Sequence, residues 1–424
     1  LASSAASDVY KRQTLLTAII GMAFMNQVSA THVTVEVPTA GQLSSLVQNA
    51  NCDSITISGN LDGNDFWFIR EQMPNLIYLN IGKVTVPDNK LPESGLYSKK
   101  ALQKIILPDN LGTIGNHAFA YCSNLKDITF PKSLVTIEYN AFYQSGLTEA
   151  TLPDKLKNIG DAAFYECYNL KKVNFPEKLV SIGNSAFRQC NLSEIAFPDS
   201  LKAIGSNAFR YCQQLQKVTF PEKLETIGTH AFNDCFRLHT ATLKGKTAPV
   251  ISDNTFNYTK VFYVPEGAAQ TYKEAPNWSN LVIIDGNTPK KITVTLTTAG
   301  TLGEEILKQV DYVKQVNELV INGPLNSDDF YQIQQQTTNL IAIDLIGATI
   351  ESLPENFFYE RTALLDIKLP ATLKNIGRYA FYRCHGLTQI TIPEGVTNVG
   401  DYAFYNCIYN HRTTKTNQKY PSVN

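Results

Sequence analysis

The stretch FRYCQQLQKVTFPEKLETIGTHAF, Phe209 to Phe232, carries Cys, Leu, a short apolar alternation, Pro, Leu, Ile-Gly and Ala-Phe in an order that recurs upstream. Its Pro has counterparts at 108, 131, 153, 176 and 198, so that successive Pro residues through Pro221 are 23, 22, 23, 22 and 23 residues apart. This is an internal repeat, and one repeat is too short to bury its own apolar groups. Stacking of coils is therefore the way this chain makes a core.

Each position of the repeat has a physical reading. Apolar residues alternate just before Pro (Ile128 and Phe130, Val173 and Phe175, Ile195 and Phe197, Val218 and Phe220), which predicts a short strand with one buried face. Pro ends that strand because it has no N–H for the ladder. Leu follows at the third position, Ile at the sixth, and Ala-Phe at the tenth and eleventh. Asn116, Asp161, Asn184 and Ser206 stand where an N-cap would, so HAFAYC (117–122) and its equivalents predict a helical or 3₁₀ turn. All length variation falls between the Cys position and the next Leu, as in CSNL (122–125) against SGL (145–147) and CNL (190–192), which places the tolerant segment in a turn.

The combined pattern, L-x-x-I-x-(L/F)-P-x-x-L-x-x-I-G-x-x-A-F-x-x-C, resembles the BspA-like leucine-rich repeats of bacterial surface proteins over roughly residues 101–245 and 364–407. The resemblance implies a right-handed parallel solenoid with a sheet along one face, and an adhesive or binding role.

A longer duplication overlies the short one. SITISGNLDGNDFWFIREQMPNLIYLNI from Ser54 corresponds to ELVINGPLNSDDFYQIQQQTTNLIAIDL from Glu318, and an array of repeats follows each. The expected organisation is two capped units in tandem. Residues 1–13 read as linker-derived sequence and 14–30 as a signal peptide, from Lys11 and Arg12, a short apolar core, and Val28 and Ala30 before the cut. In unit 1, residues 31–100 form an N-terminal cap, a helix followed by atypical coils; 101–245 are the repeats and 246–286 a C-terminal cap. A linker, 287–290, leads to unit 2, with a cap at 291–363, an incomplete array at 364–407 and an unassigned tail at 408–424. The fold class is an α/β repeat, a right-handed leucine-rich repeat solenoid with a parallel β-sheet.

A net charge of −1 provides no basic field for nucleic acid, and the apolar run near the N-terminus is too short to span a bilayer. Cys122, Cys167, Cys190, Cys212, Cys235, Cys384 and Cys407 each lie three residues after a repeat Phe, so they read as one small core position rather than as disulfide or zinc partners. His117 and His230 share a position that elsewhere holds Ala162, Ser185 or Asn207, which suits a surface residue better than a catalytic one. DGND (62–65) and NSDD (326–329) lack the ligand spacing of a calcium loop and suit a cap or turn. No catalytic residue, cofactor or metal is expected.

Two rows are candidate ligand surfaces. Lys104, Asp127, Glu149, Lys172, Glu194 and Lys217 lie four residues before Pro on the outward strand face, with coils about 4.8 Å apart. They form either a charge ladder or a recognition strip. Tyr121, Tyr143, Tyr165, Tyr168, Tyr211, Tyr382 and Tyr405 follow the repeat Phe, either as packing over the Cys turn or as a footprint for protein or sugar. The expected protein is a monomeric, secreted or cell-surface, non-enzymatic binder of host or bacterial surface proteins, adhesin-like. The alternative is glycan recognition in a polysaccharide-utilisation system.

Overall fold

A single coil shows why the repeat is spaced as it is. The computed structural model describes residues 31–286 and 288–407; residues 1–30, where linker-derived sequence and a signal peptide are expected, and the tail at 408–424 lie outside the described residues. Each coil of the first array contributes two strands, not one: a three- or four-residue strand before Pro, such as Lys104–Ile106, and a two-residue strand ending at the repeat Ile, such as Thr113–Ile114. All pairing between coils is parallel. The second strands form one unbroken seven-stranded sheet from Lys90–Leu91 to Thr226–Ile227.

The first strands do not. Their sheet breaks between Asp127–Thr129 and Glu149–Thr151, and again between Lys172–Asn174 and Glu194–Ala196. These are the two steps at which consecutive Pro residues are 22 rather than 23 apart. In full-length coils Leu125, Leu170 and Leu215 close a turn onto the carbonyls of Cys122, Cys167 and Cys212. The short coils lack the residue that makes this turn, and the ladder to the preceding strand is lost with it. Ile128, Phe130, Val173 and Phe175 flank the breaks and are only half-buried, whereas Phe197 and Phe220 are buried.

The expected helical turn is absent from the repeat. His117 and Tyr121 have φ of 54° and 62°, and the same two positions are left-handed in every coil of the array, for example Ser185 and Gln189. The alternation lets Ala118, Ala120 and Cys122 donate back three residues while His117, Phe119 and Tyr121 donate across to Tyr139, Ala141 and Tyr143 of the next coil. Every second N–H thus ties one coil to the next, which offsets the cost of left-handed backbone. Nor do Asn116, Asp161 and Asn184 cap helices. Their side-chain oxygens accept from the backbone of Tyr139, Asn184 and Ser206 one coil on, at 3.2, 2.7 and 2.8 Å.

Inside, the repeat Phe residues form one column: Phe119, Phe142, Phe164, Phe187, Phe209, Phe232 and Phe256, with centroids 5.0–5.5 Å apart and near-parallel planes. The repeat Cys residues are free, and each thiol donates to a backbone carbonyl one coil earlier, Cys190 to Phe164 at 3.1 Å and Cys212 to Phe187 at 3.2 Å. Burial pushes the Cys122, Cys167 and Cys212 thiols up to about 12, so they remain protonated donors.

Both N-terminal caps open on a strand, His32–Val37 and Lys291–Thr295, ahead of any helix, which corrects the order expected from sequence. The helices Gly63–Gln72 and Ser327–Gln336 each begin with a capping box, Asp62 with Asp65 and Asn326 with Asp329. At the C-terminal ends of these helices, Lys99 donates to the carbonyls of Arg70 and Met73, and Arg361 to those of Ile333, Gln334 and Thr337. A cation from the following coil thus satisfies orphan carbonyls in both caps. The first array ends over Trp278, fully buried, whose Nε1 donates to Pro249 at 2.9 Å.

Outside the two main cores, Val261, Val282 and Ile284 at the end of the first unit pack with Ile341 of the second. His239 and His385 lie at this joint, and the Nδ1 of each is buried without a hydrogen-bond partner among the described residues. Burial, and secondarily His385, lower His239 to about 4; burial, then Arg383 and Lys260, lower His385. A depressed histidine contributes fully above its unfolded value near 6.5, and its contribution is lost as pH falls toward 4. For His239 this amounts to up to about 3 kcal/mol. His239→Phe should therefore lose less melting temperature than the parent protein between about pH 7 and about pH 4.5. Equal losses would show that His239 does not govern the joint.

Candidate ligand-recognition surface

The six charged residues of the outward row are all exposed, as expected. Register places Lys104 beside Asp127, Glu149 beside Lys172 and Glu194 beside Lys217. Only the first of these couples is an ion pair among the described residues, Lys104 Nζ to Asp127 Oδ2 at 2.7 Å, and both its partners are about half exposed. Such a pair contributes at most about 1 kcal/mol. The sheet breaks divide the row into three separate couples, so it is not a continuous strip.

The tyrosines are organised differently. They come from two adjacent positions: Tyr143, Tyr165, Tyr382 and Tyr405 directly after the repeat Phe, and Tyr121 and Tyr211 one residue later at the left-handed position. Tyr168 belongs to neither and lies in the turn after Cys167. Because the coils are in register, the two positions merge into one ridge. Tyr97 meets Tyr121 edge-on at 5.3 Å, Tyr121 meets Tyr143 at 5.0 Å, and Tyr143 meets Tyr165 at 5.3 Å. Arg188 then lies over Tyr165 at 5.2 Å and over Tyr211 at 5.6 Å, and Arg210 over Tyr211 at 4.7 Å. Arg210 is paired with Asp234 at 3.2 Å. Arg188 has no ion-pair partner among the described residues, and its Nε is buried without a hydrogen bond.

Glu166 fixes the middle of the ridge. Burial works to raise its carboxyl, but hydrogen bonds from Gln144, Tyr168, Tyr165 and Tyr143 outweigh this and hold it below the ordinary carboxylate range. The same environment raises Tyr143 and pushes Tyr168 up to about 12, through burial first and Glu166 second for Tyr168. Glu166 thus stays a carboxylate that accepts from the Gln144 amide and, at 3.3 Å, from the Tyr143 hydroxyl. Arg188 and Arg210 were not among the residues picked out from sequence. Their signal was positional, since they stand where Tyr143 and Tyr165 stand in other coils.

The second array repeats the theme. Tyr359, Tyr382 and Tyr405 stack at 4.9 and 5.3 Å with planes within 11°, and Tyr379 and Tyr402 form a second column at 5.4 Å, turned about a right angle to the first. Arg378 covers Tyr379 at 4.5 Å, and Arg383 covers Tyr382 at 5.2 Å while pairing with Glu360 at 2.9 Å.

Among known proteins, the model of the BspA type leucine-rich repeat region matches residues 89–212, 135–263 and 327–420, in six copies spanning more than half of the chain. The chain belongs to that family. The match extends beyond the arrays expected at 101–245 and 364–407, to residue 263 and back to the helix Ser327–Gln336. No curated protein matches the chain. Solved structures similar to this BspA-type chain include a leucine-rich repeat protein from Bacteroides ovatus, 21% identical, covering 89% of this chain and 85% of its own, with a TM-score of 0.39. A leucine-rich cell surface protein from Faecalibacterium prausnitzii is also 21% identical, covering 89% and 79%, with a TM-score of 0.35. The pneumococcal vaccine antigen PcpA is 19% identical, covering 56% and 80%, with a TM-score of 0.27. The matched family is one of binding repeats, and no catalytic family is indicated. No helix among the described residues is long and apolar enough to cross a membrane.

Proposed function

We propose that this BspA-type protein is a secreted or surface-exposed, non-enzymatic, adhesin-like molecule that recognises extracellular proteins through the tyrosine–arginine ridge of its first unit. The observation that carries this reading is the way the rings are used. Along Tyr97–Tyr121–Tyr143–Tyr165 and around Arg188 and Tyr211, each ring packs against its neighbours, so a sugar finds few open ring faces to lie on. What the ridge offers outward is ring edges, hydroxyls and one guanidinium without a carboxylate, held rigidly. Tyr and Arg are the side chains that dominate protein-interface energetics, and preorganisation lowers the entropy cost of using them.

The test is binding of the whole chain to a panel of extracellular-matrix and bacterial surface proteins, with variants of each row. Tyr165→Ala and Arg188→Ala should each weaken a hit at least about tenfold, as hot-spot truncations do. Lys104→Ala, Lys172→Ala and Lys217→Ala should change it by less than about threefold while flattening its salt dependence. The reverse ranking would move the site to the charged row.

A further inference from the structure

The tyrosine column of the second unit has an end, and the end differs from the rest. One face of Tyr359 is covered by Tyr382 at 4.9 Å, Tyr379 stands edge-on to it at 6.4 Å, no other ring among the described residues packs against it, and the residue is 44% exposed. Tyr359 lines a cavity of about 720 Å³ with Tyr382, Gln334, Gln335, Glu355 and Asn356. Volumes of this order hold small ligands.

The duplicated sequence supplies a comparison within one chain. In the first unit the corresponding cap-helix residues are Arg70 and Glu71, which form an ion pair at 2.7 Å, and Arg70 also donates to the Ser94 carbonyl at 2.8 Å. These bonds tie the helix end to the coil that carries Tyr97. In the second unit, the uncharged Gln334 and Gln335 replace that pair; Arg361 still holds the helix end, but the one bond from the two glutamine side chains among the described residues, Gln334 Nε2 to the Asn356 carbonyl, is 3.4 Å long. Amides that are not committed to each other line the cavity instead.

The lining also limits the charge of a ligand. The Arg361 guanidinium reaches the cavity but is committed to three backbone carbonyls, and Arg383 is paired with Glu360. Glu355 lines the cavity and has no ion-pair partner among the described residues, so an anionic ligand would meet its charge, while Arg378, which is not part of the lining, lies over the Tyr379 ring at 4.5 Å and donates to its hydroxyl at 3.0 Å. An open aromatic face, planar amides with both donors and acceptors, and one carboxylate together match a neutral ring with an apolar face and a rim of hydroxyls.

We propose that this cavity binds a neutral saccharide, one sugar ring lying on the free face of Tyr359 with its hydroxyls meeting Gln334, Gln335, Asn356 and Glu355. The site is separate from the ridge of the first unit. The test is calorimetric titration of the full chain with short neutral gluco-, manno- and galacto-oligosaccharides. Binding by one of these classes is expected, insensitive to salt and weakened at least about tenfold by Tyr359→Ala, with Tyr359→Phe close to the parent. The double change Gln334→Arg with Gln335→Glu installs the pair that the first unit already accommodates, and it should abolish binding with the circular dichroism spectrum unchanged. Arg188→Ala should leave saccharide binding intact. Absence of binding by all three classes overturns the proposal, as does a hit that survives both Tyr359→Ala and the double change.

Discussion

Phe187→Ala is expected to lower the unfolding free energy by about 4 kcal/mol. The ring is fully buried, stacked on Phe164 at 5.0 Å and Phe209 at 5.4 Å, and met edge-on by Phe175 at 5.5 Å. Removing it opens a cavity between coils held together by the second-strand sheet and by the coil-to-coil bonds of the left-handed turns, so the neighbours collapse only partly to fill it. Because each coil of a solenoid touches only its neighbours, the damage should be local in space as well as large. Hydrogen exchange should accelerate most between residues 164 and 209 and least in the second unit. By contrast, Tyr139→Ala removes a ring that is 49% exposed and should cost about 0.5 kcal/mol or less. A loss under about 1 kcal/mol for Phe187→Ala in urea unfolding would mean that the column is not the element holding the coils in register.

The reach of sequence reasoning here follows from which signals are local. The Pro, Leu, Ile and Phe positions were legible because burial imposes residue type, and the 22-residue steps were visible as numbers, although only the structure shows that they split one sheet and spare the other. The second array shows that coil length is not the whole rule: its first-strand sheet ends at Asp366–Lys368, although Pro393 follows Pro370 by the full 23 residues. The paired left-handed positions were not legible. His117, Ala162, Ser185, Tyr121 and Glu166 share no composition that favours positive φ, because bonds to the adjacent coil impose the conformation. Local propensity therefore suggested a helical turn. The repeat Gly has a similar origin: a Cβ on Gly205 would lie 2.6 Å from the Asn184 nitrogen, so any other residue there must push the adjacent coil away, although Glu138 holds the same position in another coil. Cys was readable as a core position, but its thiol bond to the preceding coil was not. The ridge was half legible, since a search for Tyr finds Tyr165 and Tyr211 and passes over the Arg188 between them. The cavity at Tyr359 was written in the difference between Arg70-Glu71 and Gln334-Gln335, but only side-chain geometry gives that difference a shape.

Asp65→Ala should cost about 3–4 kcal/mol, close to the effect at the aromatic column although no ring is involved. Asp65 is 1% exposed, and its carboxylate accepts from the backbone N–H groups of Gly41, Leu43 and Asp62 at 2.6, 2.9 and 2.9 Å. It thus closes the capping box and anchors the loop that seals the first coil. Alanine leaves all three donors without their acceptor, the Leu43 N–H buried and those of Gly41 and Asp62 partly so, and each such group costs about 1–3 kcal/mol before relaxation. Asp65→Asn keeps the shape but turns an amide donor toward backbone donors, so it should recover less than half of the loss. Asp329 accepts from Gly300, Leu302 and Asn326 at 2.7, 3.0 and 3.0 Å in the second unit, and Asp329→Ala should reproduce the effect there while leaving exchange in residues 31–286 unchanged. The same experiment decides between capping and calcium for the acidic segments. If Asp65 is an acceptor for the backbone, adding calcium or a chelator should leave the parent melting temperature unchanged, whereas a rise with calcium would make these carboxylates ligands. Since an end cap is what keeps a stacked array from opening coil by coil, Asp65→Ala should fray the solenoid from its N-terminal end.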